Sequence, residues 1–498
     1  MKKMKAVEER RRQYHSSDDV NSVHRASLLV PELPGAFTSI SFLNHFLIKR
    51  NYNEIGCRLT AVDEDGEKIE SKLYRIFEPK VYNLPLTSNF SRPAKVYIVE
   101  FFAPNNLFIP FPAVMINHEG SNFLNTVHAF NRVLNDVFED DAINHTTVPE
   151  SSIDVELDDV RDNFLLIMSG MLPLKGKVTI ELRDEIKTLC AEVPINLSRF
   201  GLKKINLKKA LGKSKGSGVL RVIQPKQTMF YGRMLVGSEY NDKAFSANHS
   251  FYDSSGLKEY WDDSRSSVRV YPYFKEIKNS IKVYPIISPG KLRLTLNITD
   301  FKGKILAQKC LGLIKSPDNK FIDVSVNNLV KSFGLPAEEI SSFSLFAEPE
   351  SGFTPTRINH QLIYSGGGLP SSINVSLANP NVFQPKNKKG LAWGQIPIGK
   401  NINSWLGIAP HNPDGIETRV KIRFFTTLGE IKSVEKEISS GSACIVELEE
   451  ILTEELINLS SNVIDYIWYY ISCNRSDLAA YTVTSHKISG HTTGEHSF

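Results

Sequence analysis

The chain has 498 residues, of which 41% are hydrophobic and 23% charged, and a formal net charge of +4. That length exceeds one ordinary core and, at roughly 100–200 residues per domain, asks for about three to five domains. The near-neutral balance argues against a phosphate-seeking surface, the composition against a disordered chain, and no run approaches the ~20 apolar residues of a membrane-spanning helix.

The N-terminal residues 1–25 are a charged tail that opens MKKMKAVEERRRQYHSSDD, with helical potential and no apolar stretch of signal-peptide type. Five dispersed cysteines, Cys57, Cys190, Cys310, Cys444 and Cys473, form no CxxC pair. Together these predict a cytoplasmic protein in a reducing compartment rather than a disulfide-stapled one.

Beyond the tail come four repeats of roughly 110–125 residues each, at 26–150, 151–262, 263–378 and 379–498. Each opens with a strand, a turn and an alternating strand. The first reads IGCRLTAVDEDGEKIESKLYRI and the second GKVTIELRDEIKTLCAEVPI. The third reads GKLRLTLNITDFKGKILAQKCLGL and the fourth ETRVKIRFFTTLGEIKSVEKEI. Apolar and polar residues alternate with period two, the mark of a strand with one buried face. Gly66, Gly303 and Gly429 supply the turns, and the second repeat has no glycine there. A short strand running into helix-like residues comes next, then a second hairpin whose strands are parted by Pro, Asn, Asp, Gly and Ser. The pattern predicts an all-β chain of four tandem antiparallel β-sandwiches. Minor helix is expected in the N-terminal tail and over 122–140, where Phe123, Leu124, Val127, Phe130, Val133, Leu134 and Val137 fall at three-to-four spacing.

In the fourth repeat, LGIAPHNPDGIETRVKIRFFTTLGEIKSVEKEI and AAYTVTSHKISG resemble the small β-sandwich subunit of the sensory-rhodopsin-transducer family. The resemblance covers the fourth repeat best, the third less and the first two poorly. It implies a single-domain subunit that associates as a tetramer, so four fused units would imitate a tetramer in one chain. It also implies a soluble signalling partner or ligand-binding module.

Near the end of each repeat stands a histidine: His118, His249, His360 and His486, the first three after Asn. Imidazole suits a divalent transition metal and carries protons near neutral pH. Around a pseudo-fourfold axis the four would converge on a metal or anionic ligand. Alternatively each ends a strand and satisfies backbone groups. The C-terminal His491, Glu495 and His496 add donors without a standard metal-site spacing.

The stretch ANHSFYDSSGLKEYW is the densest chemically. His249, Tyr252, Asp253, Tyr260 and Trp261 suit stacking on a sugar while pairing its hydroxyls, and His249 with Asp253 suits acid–base work. An inter-repeat linker packed on its neighbour is the other reading. ALGKSKGSG, at 210–218, lacks the upstream glycine of a phosphate loop. Its lysines read as a solvated stretch, and without interleaved aromatics nucleic acid is not an expected partner. YSGGGLPSS is free to approach a ligand closely.

The leading expectation is a soluble, non-enzymatic binding or scaffold protein that requires no cofactor. Its small polar ligand or protein partner would sit at inter-repeat clefts near the Asn-His strand ends. The rivals are a metal-dependent or acid–base enzyme acting on a polar small molecule such as a carbohydrate derivative, and a structural subunit of a larger assembly.

Overall fold

The computed structural model describes residues 24–103, 112–133, 150–184, 187–227, 230–240, 243–252, 260–261, 266–283, 291–315, 322–351, 354–355, 358–377, 389–411, 413–453 and 464–498. Outside them lie the N-terminal helix candidate, residues 134–140 of the second helix candidate, and Asp253.

The chain is all-β, built from tandem antiparallel β-sandwich repeats. In the fourth repeat, one sheet runs in the order Gly390–Ile398, Asp465–Cys473, Thr418–Thr426, Gly429–Ile438. The facing sheet runs Cys444–Val446, Ile402–Pro410, Leu478–His486, Thr492–His496. The third repeat has the same two orders over residues 267–377; the second, over 150–252, adds Phe251–Tyr252 to the edge of its first sheet, and the first, over 24–133, adds Asn131–Val133, on which Phe230–Gly232 pairs in turn. The chain divides into two compact units. One holds the first two sandwiches apart from Ser121–Asn125 and Asp184–Ile186, and the other, which includes those two segments, holds the last two sandwiches.

Alternation explains the sandwiches. Along Thr418–Thr426, Val420, Ile422 and Phe424 point inward and are buried; along Lys291–Asp300, Leu292, Leu294 and Leu296 do the same. At ~25 cal/mol per Å² of apolar surface, such inward rows drive collapse of one sheet on the other. The hairpin turns repeat too. Asp63 Oδ1 accepts from the Asp65 and Glu67 amides, and Asp300 Oδ1 accepts from the Lys302 and Lys304 amides. Each turn then needs a left-handed residue, met by Gly66 at φ 81° and Gly303 at φ 80°.

Among the described residues helix is confined to short segments: His45–Arg50, a single 3-10 turn at Ala337–Glu339, and Leu207–Leu211, Val326–Ser332 and Leu448–Ile451, the last three each following the fifth strand of its repeat. Asn206 and Ser325 cap Leu207–Leu211 and Val326–Ser332 by accepting from the Lys209 and Asn328 amides. The expected helix over 122–140 is corrected: Leu124–His128 and Asn131–Val133 are strands. Every residue from Phe123 to Asn131 is buried. With no exposed face, three-to-four spacing carries no directional information, and ladder pairing decides.

One strand has an unusual role. Along Leu478–His486, Ala480 packs into the fourth repeat's own core, while Ala479, Tyr481 and Val483 pack into the core of the third. Both faces are therefore buried, and the two repeats share a hydrophobic interior.

Candidate ligand-binding cleft at the joint of the third and fourth repeats

The joint begins with glycine. A Cβ at Gly303 would overlap the Ser440 carbonyl oxygen, and one at Gly407 would overlap Pro272, so turn and strand approach as only glycine permits. Ser342 Oγ donates to the Gly441 carbonyl at 2.9 Å. The Gly366–Gly368 run closes the other side. Gly366 N–H donates to Thr492 Oγ1 at 2.8 Å, Gly368 N–H to the Gly490 carbonyl at 3.0 Å, and Leu369 N–H to His491 Nδ1 at 3.0 Å. The flexible YSGGGLPSS stretch thus admits the neighbouring repeat's backbone.

At the centre, Arg269 Nε donates to Tyr481 Oη at 3.0 Å and Arg269 Nη1 to the Ser376 carbonyl at 3.1 Å. Tyr271 and Tyr481 meet edge to face, with ring centres 6.0 Å apart. Tyr271 Oη also contacts His360 Nε2, while His360 Nδ1 lies 2.9 Å from the Ile358 carbonyl. A carbonyl only accepts, so Nδ1 carries the proton and Nε2 accepts from the tyrosine.

Beside this core the two repeats leave a cleft of about 730 Å³. Tyr273, Glu276, Phe301 and Glu338 line it from the third repeat, and Asn403, Trp405, Glu447 and Lys487 from the fourth. Strand phase explains the placement of Trp405. In Ile402–Pro410, Leu406 and Ile408 face the fourth repeat's core. Asn403 and Trp405 therefore face the third repeat. Lys487 is pinned at the mouth, its Nζ donating to the Lys400 carbonyl at 2.8 Å. Burial, and then the carboxylates of Glu276 and Glu338, push the Tyr273 phenol above its ordinary value. None of these lining residues stood out in the sequence, because they are scattered over turns, strand ends and one strand interior with no common motif. The available signal was a tryptophan on the polar phase of an alternating strand.

The histidines that the sequence grouped occupy different register positions in their sheets. His118 pairs with Thr38 and His486 with Ile402, both near the start of the partner strand. His360 pairs with Val283, at the opposite end. His249 lies on the following strand, at its close, the position that His128 holds in the first repeat and His496 in the fourth. The Asn-His pairs are therefore not fourfold equivalents. His118 and His360 are fully buried, and burial lowers them to about 4 and about 3. His118 Nε2 contacts the Pro31 carbonyl at 3.2 Å.

His249 Nδ1 lies 3.0 Å from Arg233 Nη1 and 3.1 Å from the Ser250 carbonyl. The His249 ring meets His128 edge-on, with centres 4.3 Å apart. His486 Nδ1 accepts from the Ser489 amide at 3.3 Å, and burial followed by neighbouring His491 lowers its affinity for protons. His496 Nδ1 lies 2.8 Å from the Ser497 carbonyl. The described residues of FYDSSGLKEYW lie in separate sheets. Tyr252 pairs with Ser151, whereas Tyr260 and Trp261 pair with Pro355 and Thr354. The lysines near 203–218 meet local acids, Lys204 on Glu239 at 2.5 Å and Lys208 on Asp162 at 3.4 Å.

Fold and joint define a tandem β-sandwich protein with a cleft between paired repeats. No family model matches the chain, and no curated protein matches it. Among solved structures it is similar to the BSP domain of a biofilm-associated protein, at 8% identity over 97% of this chain and 96% of that one, with a TM-score of 0.15. It is also similar to a tetra-tandem repeat from the extending region of a large adhesion protein, at 8% identity over 89% and 91%, with a TM-score of 0.08. Values this low carry no argument about function. Among the described residues no helix is long and apolar enough to cross a membrane.

Proposed function

We propose that this chain is a non-enzymatic binding or scaffold protein whose paired sandwiches present a ligand site at the joint of the third and fourth repeats. The observation that carries this reading is the cleft of about 730 Å³, walled by Tyr273, Phe301 and Trp405 and rimmed by charge of both signs. That size falls within the roughly 300–1,000 Å³ of ordinary ligand pockets. The signalling-module role implied by the family resemblance belongs to the same class, binding without turnover. The cytoplasmic location is part of the same reading.

A thermal-shift screen of the full chain against sugars, peptides, nucleotides and divalent metals tests it, because a ligand that prefers the folded state raises the melting point. The expected result is a hit whose shift is lost in Trp405→Ala. A hit that Trp405→Ala leaves intact places the site elsewhere. A metal hit abolished by His249→Ala but not by Trp405→Ala would favour the histidine reading instead.

A further inference from the structure

We infer that the cleft takes a short oligosaccharide, stacked on Trp405 and held by the surrounding amide and carboxylate groups. This rests on the cleft being the binding site and concerns what fills it.

Much of the polar lining is uncommitted. Among the described residues, no hydrogen bond or ion pair engages the carboxylates of Glu276, Glu338, Glu447 and Glu449 or the ammonium groups of Lys275 and Lys400. The same holds for the Asn403 amide and the Trp405 indole N–H, so the cleft offers donors and acceptors together beside aromatic faces. Phe301, at the turn tip, is 49% exposed and presents an apolar ring to the cleft.

Each competing ligand class meets an obstacle. An apolar ligand would desolvate these polar groups without pairing them. A phosphate or polyanion would face four carboxylates against three lysines. An extended peptide adds to a sheet edge, but the edge strand lining the cleft, Cys444–Val446, is three residues long. A pyranose ring meets both demands. Its C–H face lies on an aromatic plane, and its rim hydroxyls each donate and accept, matching carboxylates, amide and indole N–H.

The test is titration of the full chain with defined soluble hexaoses of cello-, malto-, chito- and xylo-type, read by calorimetry and tryptophan fluorescence. At least one hexaose should bind saturably. Trp405→Ala should weaken it by about tenfold or more and Trp405→Phe by less, since an aromatic plane is kept. Asn403→Ala and Glu338→Gln, both at exposed positions, should each weaken it several-fold and carry the test if Trp405→Ala fails to fold. Equal binding of a hexaose by wild type and all four variants overturns the assignment. So does a peptide or nucleotide that needs Trp405 while no hexaose binds, and that outcome leaves the cleft itself standing. If no ligand depends on any lining residue, cleft and sugar fall together.

Discussion

The joint of the first and second repeats and that of the third and fourth use the same contact and then diverge. In both, the first hairpin turn of the leading repeat docks its glycine on a backbone carbonyl of the next repeat, Gly66 on Arg199 and Gly303 on Ser440. Beyond that, the first pair adds a shared backbone ladder to side-chain contacts such as the His128–His249 and His118–Phe245 ring pairs. Phe230–Gly232 of the second repeat pairs with Asn131–Val133, which pairs in turn with His24–Pro31, so one sheet runs through both repeats. The second pair, besides backbone bonds such as Gly368 to Gly490, packs side chains together through the doubly buried strand Leu478–His486 and the Tyr271–Arg269–Tyr481 cluster. Ladder bonds fix register and demand little of particular side chains. Packed side chains fix particular residues and leave room beside them for a cleft.

The largest predicted effect breaks the side-chain joint alone. Tyr481→Ala leaves a cavity between two cores and removes the acceptor of Arg269 Nε, at an expected cost of about 3–5 kcal/mol. Hydrogen exchange should show protection falling in strands of both the third and fourth repeats and holding in His24–Pro31. Loss confined to the fourth repeat would refute the shared interior. Next, Gly66→Ala and Gly303→Ala each force a left-handed residue and a backbone overlap, for roughly 2–4 kcal/mol by urea unfolding. Similar costs would show that the docked turn works alike at both joints; a cost at one alone would show that the other does not depend on it.

A third prediction uses acid. His360 has a folded-state affinity for protons lowered from 6.5 to about 3 by burial, so the unfolded chain binds a proton that the folded chain refuses. Its contribution to stability is complete above about pH 6.5 and is lost as pH falls toward 3, at ~1.4 kcal/mol per pH unit. His360→Gln should flatten the stability-against-pH slope between about pH 6.5 and 4.5 by about one proton; an unchanged slope would mean that His360 already titrates in the fold. The smallest effect is expected at the surface of the first joint. Arg199 bridges Glu67 at 2.8 Å, with both side chains largely exposed. Arg199→Ala should cost below ~1 kcal/mol, and less in about 1 M salt.

Alternation and turn chemistry made the sandwiches readable from sequence. Val420, Ile422 and Phe424 announce their inward face, and the glycines of DEDGEK and DFKGK their turns. The segment Phe123–Asn131 misleads because burial on every side erases the phase that distinguishes strand from helix. The histidines mislead differently. A two-residue match, Asn-His, is too short to carry register, and one strand's displacement moved His249 out of line with His118. The end-of-strand equivalence of His128, His249 and His496 needed the ladder to be seen. The cleft was the least legible feature, since its walls come from segments more than 100 residues apart, as with Tyr273 and Trp405.

The strand buried on both faces also sets where this protein can be divided. A fragment holding the third repeat alone would expose the surface that Ala479, Tyr481 and Val483 cover, and one holding the fourth alone would present those three side chains to water. Either piece would be prone to self-association. The smallest portion of this half of the chain that excision or grafting can move intact is therefore the pair of third and fourth repeats.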